Sequence, residues 1–377
     1  MSSSLRWVIT CPLHIEKLLD QELRNFGYKD LKPSAGKVSL EASLEAGFKI
    51  CLWSRLANRV LLQLSEWDGK DGDSIYQNAR EFPWQDHLQT NQTFAISFHG
   101  TNQHIRHPHF GSQKLKDALV DHFRELTGIR PNVDPKNPEV SFWAHLEVNQ
   151  LKLFLDFSGV SLHQRGYRQH QGSTSLKENL AAALLWQCGW PMKAKHGDTL
   201  LDPMCGSGTI LAEGLLMAAD WAPGLIRKKF GFQAWRGFEF ETWKRLRKEA
   251  IERRADGLDG LPPIIGGDHS DQAIERTKSN LQRLGVLDHV VFESKELALW
   301  EPNHEKGLLL CDPPYGERIG QTTEIKKIYR TLGQLRQQRF LNWEFSVILA
   351  EESSWEEFQL RYDKRHLFRN GAIPCQL

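Results

Sequence analysis

The chain has 377 residues, with 48 lysines and arginines against 47 aspartates and glutamates, for a formal net charge of +1. Hydrophobic content of 40% and charged content of 25% are ordinary for a globular protein, and the length leaves room for two or three domains. No apolar run approaches the ~18 residues of a membrane span, and the start MSSSLRWVITCPLHIEKLL lacks a signal-type apolar core, so a cytoplasmic location is expected. The six cysteines lack C-x-x-C spacing and indicate neither a zinc site nor a disulfide framework.

Residues 5–10, LRWVIT, read as a first strand. IEKLLDQELRNFG then has helical spacing, with Ile15, Leu18, Leu19 and Leu23 on one face and Gly27 as the stop. KVSLEA at 37–42 reads as a strand, and AGFKICLWSRLANRVLLQL as helix followed by strand. This alternation predicts a small α+β domain over residues 1–66. WDGKDGDS at 67–74 reads as a turn-rich linker. IYQNAREFPWQDHL is predicted helical, and TFAISFHG at 93–100 alternates as a strand. The second half of GTNQHIRHPHFGSQKLKDALVDHFRELTG is an amphipathic helix carrying Leu115, Leu119 and Phe123. WAHLEVNQLKLFLDFSG at 143–159 predicts a β-hairpin.

Arg106, Lys114, Lys116, Arg165, Tyr167 and Arg168 cluster in and around this region. Arginine and lysine can hold phosphates, which positions a nucleic acid without reading its sequence; for any one of them, solvated surface is an equal reading. His104, His107 and His109 read as polar surface, and no metal is expected. The thirteen tryptophans are assigned to core and inter-domain packing. Residues 163–190 lead into a third unit, in which Ser175 is positioned to cap a helix with Glu178 three residues on, and Leu180, Leu184 and Leu185 form its inner face.

TLLDPMCGSGTILAEGLLMAA, 199–219, reads as strand, glycine turn and helix. The Gly206-Ser207-Gly208 turn lets backbone approach a ligand, and the helix start offers unpaired N–H groups. A dinucleotide loop would need a third glycine where Leu211 stands, and a P-loop would need G-K-[ST], so both patterns fail. Asp202 directly before the loop suits a cationic, hydroxyl-rich ligand. S-adenosylmethionine, with a sulfonium, an ammonium and a ribose, fits. The expected cofactor contacts are Asp202, Pro203, Cys205, Gly206, Gly208 and Thr209. PPIIGGDHSDQAIERTKSNLQRLGV continues with a strand ending at Asp268, whose carboxylate is placed to accept from both ribose hydroxyls; Asp271 is the second choice and reads better as a helix N-cap. GLLLCDPPYGERIG, 307–320, is a buried strand ending at Asp312, with Pro313 and Pro314 stiffening the chain and Tyr315 supplying an aromatic face. Cys205 and Cys311 read as small residues beside the cofactor. FSVILAEES at 345–353 is expected as a fifth buried strand, and RYDKRHLFRNGAIPCQL as a final hairpin.

DPPY at 312–315 resembles the D/N-P-P-Y motif of methyltransferases that act on exocyclic base amines. The resemblance implies that Asp312 and the proline-region carbonyl hold the amine, while Tyr315 stacks on the base, a positioning form of catalysis. FAISFHGTN, QKLKDALVDHF and KLFLDFSGVSLHQRGYR look like a THUMP domain, an RNA-binding module, over residues 67–167. LKENLAAALL, LLDPMCGSGTILAEG, MAADWAPGL and DPPYGERIG together resemble the RlmL-type 23S rRNA (guanine-N2)-methyltransferases. That family implies an α/β fold: a class I, Rossmann-like methyltransferase domain at 168–377, preceded by an α+β ferredoxin-like and THUMP region. It also implies that the helix carrying Lys177, Glu178 and Asn179 abuts the cofactor, with Asn179 in contact. Glu296 stands where family members usually carry Asp, at the adenine amine. Asp312 stands where the family commonly has Asn. Some members carry a second methyltransferase domain, and none is expected here. The expected reaction is transfer of a methyl group from S-adenosylmethionine to guanine N2 in 23S rRNA, the base being turned out of its stack. The alternatives are an adenine-N6 methyltransferase and a non-catalytic RNA-binding assembly factor.

Overall fold

A computed structural model describes residues 4–168, 176–314, 322–353 and 355–377. The N-terminal part is built on β1 (Leu5–Thr10), α1 (Glu16–Asn25), β2 (Lys32–Ser34), β3 (Lys37–Ala42), α2 (Leu44–Trp53) and β4 (Arg59–Asp68). It continues with α3 (Gly72–Glu81), β5 (Thr93–His99), α4 (Pro108–Thr127), β6 (Asn132–Val133), β7 (Val140–Glu147) and β8 (Gln150–Asp156). Period-two burial puts Trp7, Ile9, Val38, Leu40, Val60 and Leu62 into the core along one part of this sheet, and Phe94, Phe98, Phe142 and Ala144 along the other.

All eight strands join one sheet in the order β2-β3-β1-β4-β8-β7-β5-β6. The joint is β4, which pairs β1 on one side and β8 on the other. Trp67 and Asp68, read from sequence as the start of a linker, are the last residues of that strand, opposite Leu151 and Gln150. The turn-forming residues that follow cap α3 instead: Asp71 accepts from the Ser74 N–H and the Ser74 hydroxyl accepts from the Asp71 N–H.

The second part begins with α5 (Glu178–Gln187), α6 (Trp190–Lys195), β9 (Thr199–Asp202), α7 (Thr209–Ala218) and α8 (Phe240–Leu258). It continues with β10 (Ile264–Asp268), α9 (Asp271–Leu284), β11 (Val291–Ser294), β12 (Gly307–Cys311) and α10 (Thr322–Gln338). Five parallel strands, closed by β13 (Glu344–Val347), lie in the order β11-β10-β9-β12-β13. β9, β10 and β12 are buried throughout, as expected of a parallel sheet covered on both faces. The expected fifth buried strand is instead broken at Ile348 and only half-buried in β13. Its continuation β14 (Leu349–Ala350) pairs β16 (Ile373–Gln376), which pairs β15 (Leu367–Asn370) as the anticipated hairpin. Ser175 lies outside the described residues, and α5 starts at Glu178 with Lys177 in the N-cap position.

The two parts are joined by apolar and by charged contacts. Phe48 and Phe157 meet Phe232 at ring-centroid distances of 4.8 and 5.4 Å, and Phe232 meets Trp243 of α8 at 5.0 Å. Beside this aromatic joint, Arg165 lies buried at 1% exposure and reaches the Leu162 and Arg55 carbonyl oxygens and the Glu213 carboxylate of α7. Tyr167 donates to Glu213, and Glu22 accepts from the Ser54 hydroxyl and the Arg55 N–H. No helix among the described residues is long and apolar enough to cross a membrane.

Candidate active site

Parallel strands end together, and here three neighbouring ends carry carboxylates. In register, Asp202 closes β9 opposite Gly266 of β10. Asp268 closes β10 two residues later, and Asp312 follows β12 on the other side of β9. Burial pushes the Asp202 carboxyl well above the usual range; the Met204 N–H opposes this, and the charges of Asp312 and Asp268 add to it. Burial of the Asp202 carboxyl beside two further carboxylates favours a cationic ligand.

The glycine turn after β9 is clamped from the end of β10 and from α9. The Cys205 N–H donates to the Gly267 carbonyl at 2.8 Å and the Gly206 N–H to the Asp268 carboxylate at 3.1 Å. Thr277 donates to the Gly206 carbonyl at 3.1 Å, and Asn280 to that of Ser207 at 2.9 Å. Gly208 has φ of +76°, and a Cβ there would lie 2.4 Å from Thr277 Cγ2. Gly208→Ala is therefore expected to shift the loop off Thr277 and weaken cofactor binding by at least about tenfold, since the left-handed backbone alone costs roughly 1–2 kcal/mol. Calorimetric titration of the variant with S-adenosylhomocysteine checks it; unchanged affinity would refute the role given to the turn. Sequence reading missed Thr277 and Asn280. The available signal was two polar residues, i and i+3, on the otherwise apolar stripe Ala273, Ile274, Leu281 and Leu284.

Pro203 and Thr209 are buried in the loop and at the start of α7, and Ser207 and Thr209 hydroxyls lie 3.2 Å apart. Burial and the Asp202 charge push the Cys205 thiol up to about 12, and burial likewise raises Cys311, so both stay protonated and act as small packing residues. Asp268 also accepts from the Ser270 N–H. Ser270, not Asp271, is the N-cap of α9; Asp271 instead accepts from the Ser294 hydroxyl, so it faces β11. Glu296 stands exposed just past β11. Pro313 is buried and Pro314 exposed; Tyr315 lies outside the described residues. Tyr329 of α10, not anticipated, is buried near Asp312, and its phenol is raised by burial and, after an opposing bond to Ser353, by that carboxylate.

Two expected RNA contacts are corrected, and Asn179 lies at the joint with the N-terminal part. It is fully buried, its Nδ2 donating to the Leu56 carbonyl and to Asn58 Oδ1, while its Oδ1 has no hydrogen-bond partner among the described residues. Arg165 and Arg168 cannot meet an external nucleic acid. The first is buried against Glu213, and the Arg168 side chain is 4% exposed, donating to the Leu176 carbonyl and facing Glu178. Charged residues this deep are paired internally, and sequence gives no sign of depth at a loop position. Arg106 is exposed, Lys114 pairs with Asp73, and Lys116 with Asp117, all near the start of α4.

An open parallel sheet with helices on both faces, a glycine turn after its central strand and acids at adjacent strand ends defines the class I methyltransferase architecture, with its ligand site at the carboxyl ends. The family model described as "RMKL-like, methyltransferase domain" matches residues 165–377. The chain belongs to this family. A THUMP domain matches residues 69–156 and an RlmL ferredoxin-like domain residues 6–61. Among curated relatives, the ribosomal RNA large subunit methyltransferase K/L of Pseudomonas paraeruginosa is 43% identical over 98% of this chain and 51% of its own length. That of Allochromatium vinosum is 41% identical over 98% of this chain and 50% of its own. The chain thus spans about half the length of the curated relatives it matches. Among solved structures, SMU.472 complexed with SAH has a TM-score of 0.86 at 25% identity, covering 100% of this chain and 97% of that one. A Listeria monocytogenes protein described as a "predicted N6-adenine-specific DNA methylase" has a TM-score of 0.85 at 27% identity, covering 99% and 96%.

Proposed function

We propose that the chain binds S-adenosylmethionine at the ends of β10, β9 and β12 and directs its methyl group to the exocyclic N2 amine of a guanine in 23S ribosomal RNA. The observation that carries this reading is the meeting of Asp202, Asp268 and Asp312 around a rigid glycine turn. The cofactor supplies an activated methyl group on a cationic sulfur. Asp202 and the backbone at Gly206, Gly208 and Thr209 would hold its methionine end and Asp268 its ribose; Glu296 is assigned to the adenine amine. Asp312 accepts from the guanine amine, drawing the nitrogen lone pair out of conjugation, and Pro313 and Pro314 fix the loop that presents it. Tyr315 is assigned to stacking. Residues 1–66 and 67–167 are read as a ferredoxin-like and an RNA-binding THUMP domain, and 168–377 as the catalytic domain. Arg106, Lys114 and Lys116 are the remaining RNA contacts. A ribosomal RNA substrate implies work in the cytoplasm.

The test is incubation of purified protein with labelled cofactor and either ribosomal RNA or genomic DNA, followed by nucleoside analysis. N2-methylguanosine from RNA is expected. Label in DNA as N6-methyladenine would replace this reading with the one suggested by the Listeria relative, whose described activity is on adenine. Cofactor binding without transfer to any nucleic acid would leave only a binding protein.

A pH dependence follows from Asp202. Its carboxyl is held protonated above the ordinary range in the free protein, whereas a cationic ligand favours the ionised form. Binding should therefore release a proton. Affinity should rise about tenfold per pH unit until Asp202 ionises in the free protein, then level off. Titration calorimetry in buffers of different ionisation enthalpy measures the proton; none released across the acid-to-neutral range would remove Asp202 from the cofactor site.

A further inference from the structure

Away from the three acids, a cavity of about 250 Å³ opens between the end of β1, the loop before β4, the start of α5 and the turn of the C-terminal hairpin. Pro12, Leu13 and Gly371 form its less polar walls, and Asn58, Lys177 and Arg369 bring polar groups to it. Among the described residues nothing acidic lines it. The protein carries many ion pairs elsewhere, yet among the described residues neither Lys177 nor Arg369 has a carboxylate partner. Among the described residues, the one hydrogen bond of the Arg369 side chain is to the Ala372 carbonyl of its own turn. Asn58 uses its Oδ1 to accept from Asn179, which leaves its Nδ2 as the group to offer a ligand. Two cations and an amide donor therefore face one space. Positive potential here is also felt by His163, pushed down to about 4 by burial and then by Lys177 and Arg165.

Topology sets this cavity at the catalytic end. β16 runs antiparallel to β14, and β15 antiparallel to β16, so β15 runs with the parallel strands and finishes where they finish. The path from Asp312 to Arg369 runs from β12 to β13, on through Ile348 into β14, and across β16 to β15, the last three strands forming their own small sheet. The N-terminal part supplies one wall, so a chain crossing from the front module to Asp312 would pass it.

We propose that this cavity holds a backbone phosphate of the RNA strand a few nucleotides from the reacting base, and so fixes the register in which a base is presented to Asp312. The proposal rests on the RNA reading above. Its test uses the full chain, with a K177A/R369A double variant and filter binding of a 23S rRNA transcript over a range of KCl concentrations. The dissociation constant for RNA is expected to rise about tenfold, as for loss of one charge-assisted contact. The slope of log affinity against log salt should fall by about 0.7, one phosphate on a single strand. Cofactor affinity, titrated separately, should not change. An unchanged salt slope overturns the proposal, as does weakened cofactor binding with RNA binding intact, which would assign Lys177 to the cofactor. Should the double variant misfold, R369E on the exposed hairpin carries the same test. Wild-type protein that binds RNA with the expected slope difference but transfers no methyl group to it would sink the functional reading and leave the phosphate site standing.

Discussion

Asp312→Ala is expected to lower the rate of methyl transfer by at least about a thousandfold, while the affinity for S-adenosylhomocysteine, measured at a pH where Asp202 is already ionised, changes less than about threefold. An exocyclic amine conjugated to a purine is a poor nucleophile, and Asp312 is the acceptor proposed to localise its lone pair; removing one such preorganised group typically costs 10²–10³ in rate, and loss of the aligned amine adds to this. Asp312→Asn separates two roles. Asparagine keeps the acceptor oxygen but removes one of the two charges that burden Asp202. It should therefore retain a measurable rate and lower the Asp202 carboxyl, flattening the pH dependence of cofactor binding. Single-turnover assays with ribosomal RNA give the rate, and calorimetry the affinity. Wild-type turnover in the alanine variant would move the catalytic assignment elsewhere.

The second large effect concerns the joint between the two parts. Glu213→Ala should destabilise the protein by about 3–5 kcal/mol, because it leaves Arg165 buried at 1% exposure without its counter-charge. The combined Arg165→Met and Glu213→Leu change should recover most of that loss, since a buried pair is often replaceable by apolar groups of similar size. Urea unfolding of the three proteins measures this. A single variant within about 1 kcal/mol of wild type would show the pair to be solvated. Glu213 lies on α7, the helix that begins at the glycine turn, so the joint fixes the front module relative to the cofactor loop. In the double variant, a raised RNA requirement with unchanged cofactor affinity would report a loosened module.

Much of the local structure was readable along the chain. β1, α1, β3, β5, α4 and β7 declare themselves by period and by turn residues, because each is buried mainly on one face, and β8 by its apolar run after the turn. The two motif loops were readable too, the second as far as Pro314, since glycine and proline punctuate them whatever surrounds them. The stretch from 226 to 261 declares no element along the chain. Its helix α8 is strongly charged and buries only Trp243, Leu246 and Ala250, too few to mark a face. The pairing of β4 with β8 was equally hidden, because a strand does not announce its partners and Trp67 looked like turn when isolated from Leu151.

By itself the sequence determined the two motif loops, the strand ends that carry Asp202, Asp268 and Asp312, and the order of units along the chain, because these depend on backbone stereochemistry and local periodicity. Only the tertiary structure decided which charged residues are surface and which are core. Arg165 and Arg168 carry the same composition signal as Arg106, yet folding draws them against Glu213 and Glu178. It also set the three acids side by side and left Lys177 and Arg369 facing one cavity. The reason is physical: burial and electrostatic coupling are properties of distances between residues far apart in the chain, and no single stretch contains them.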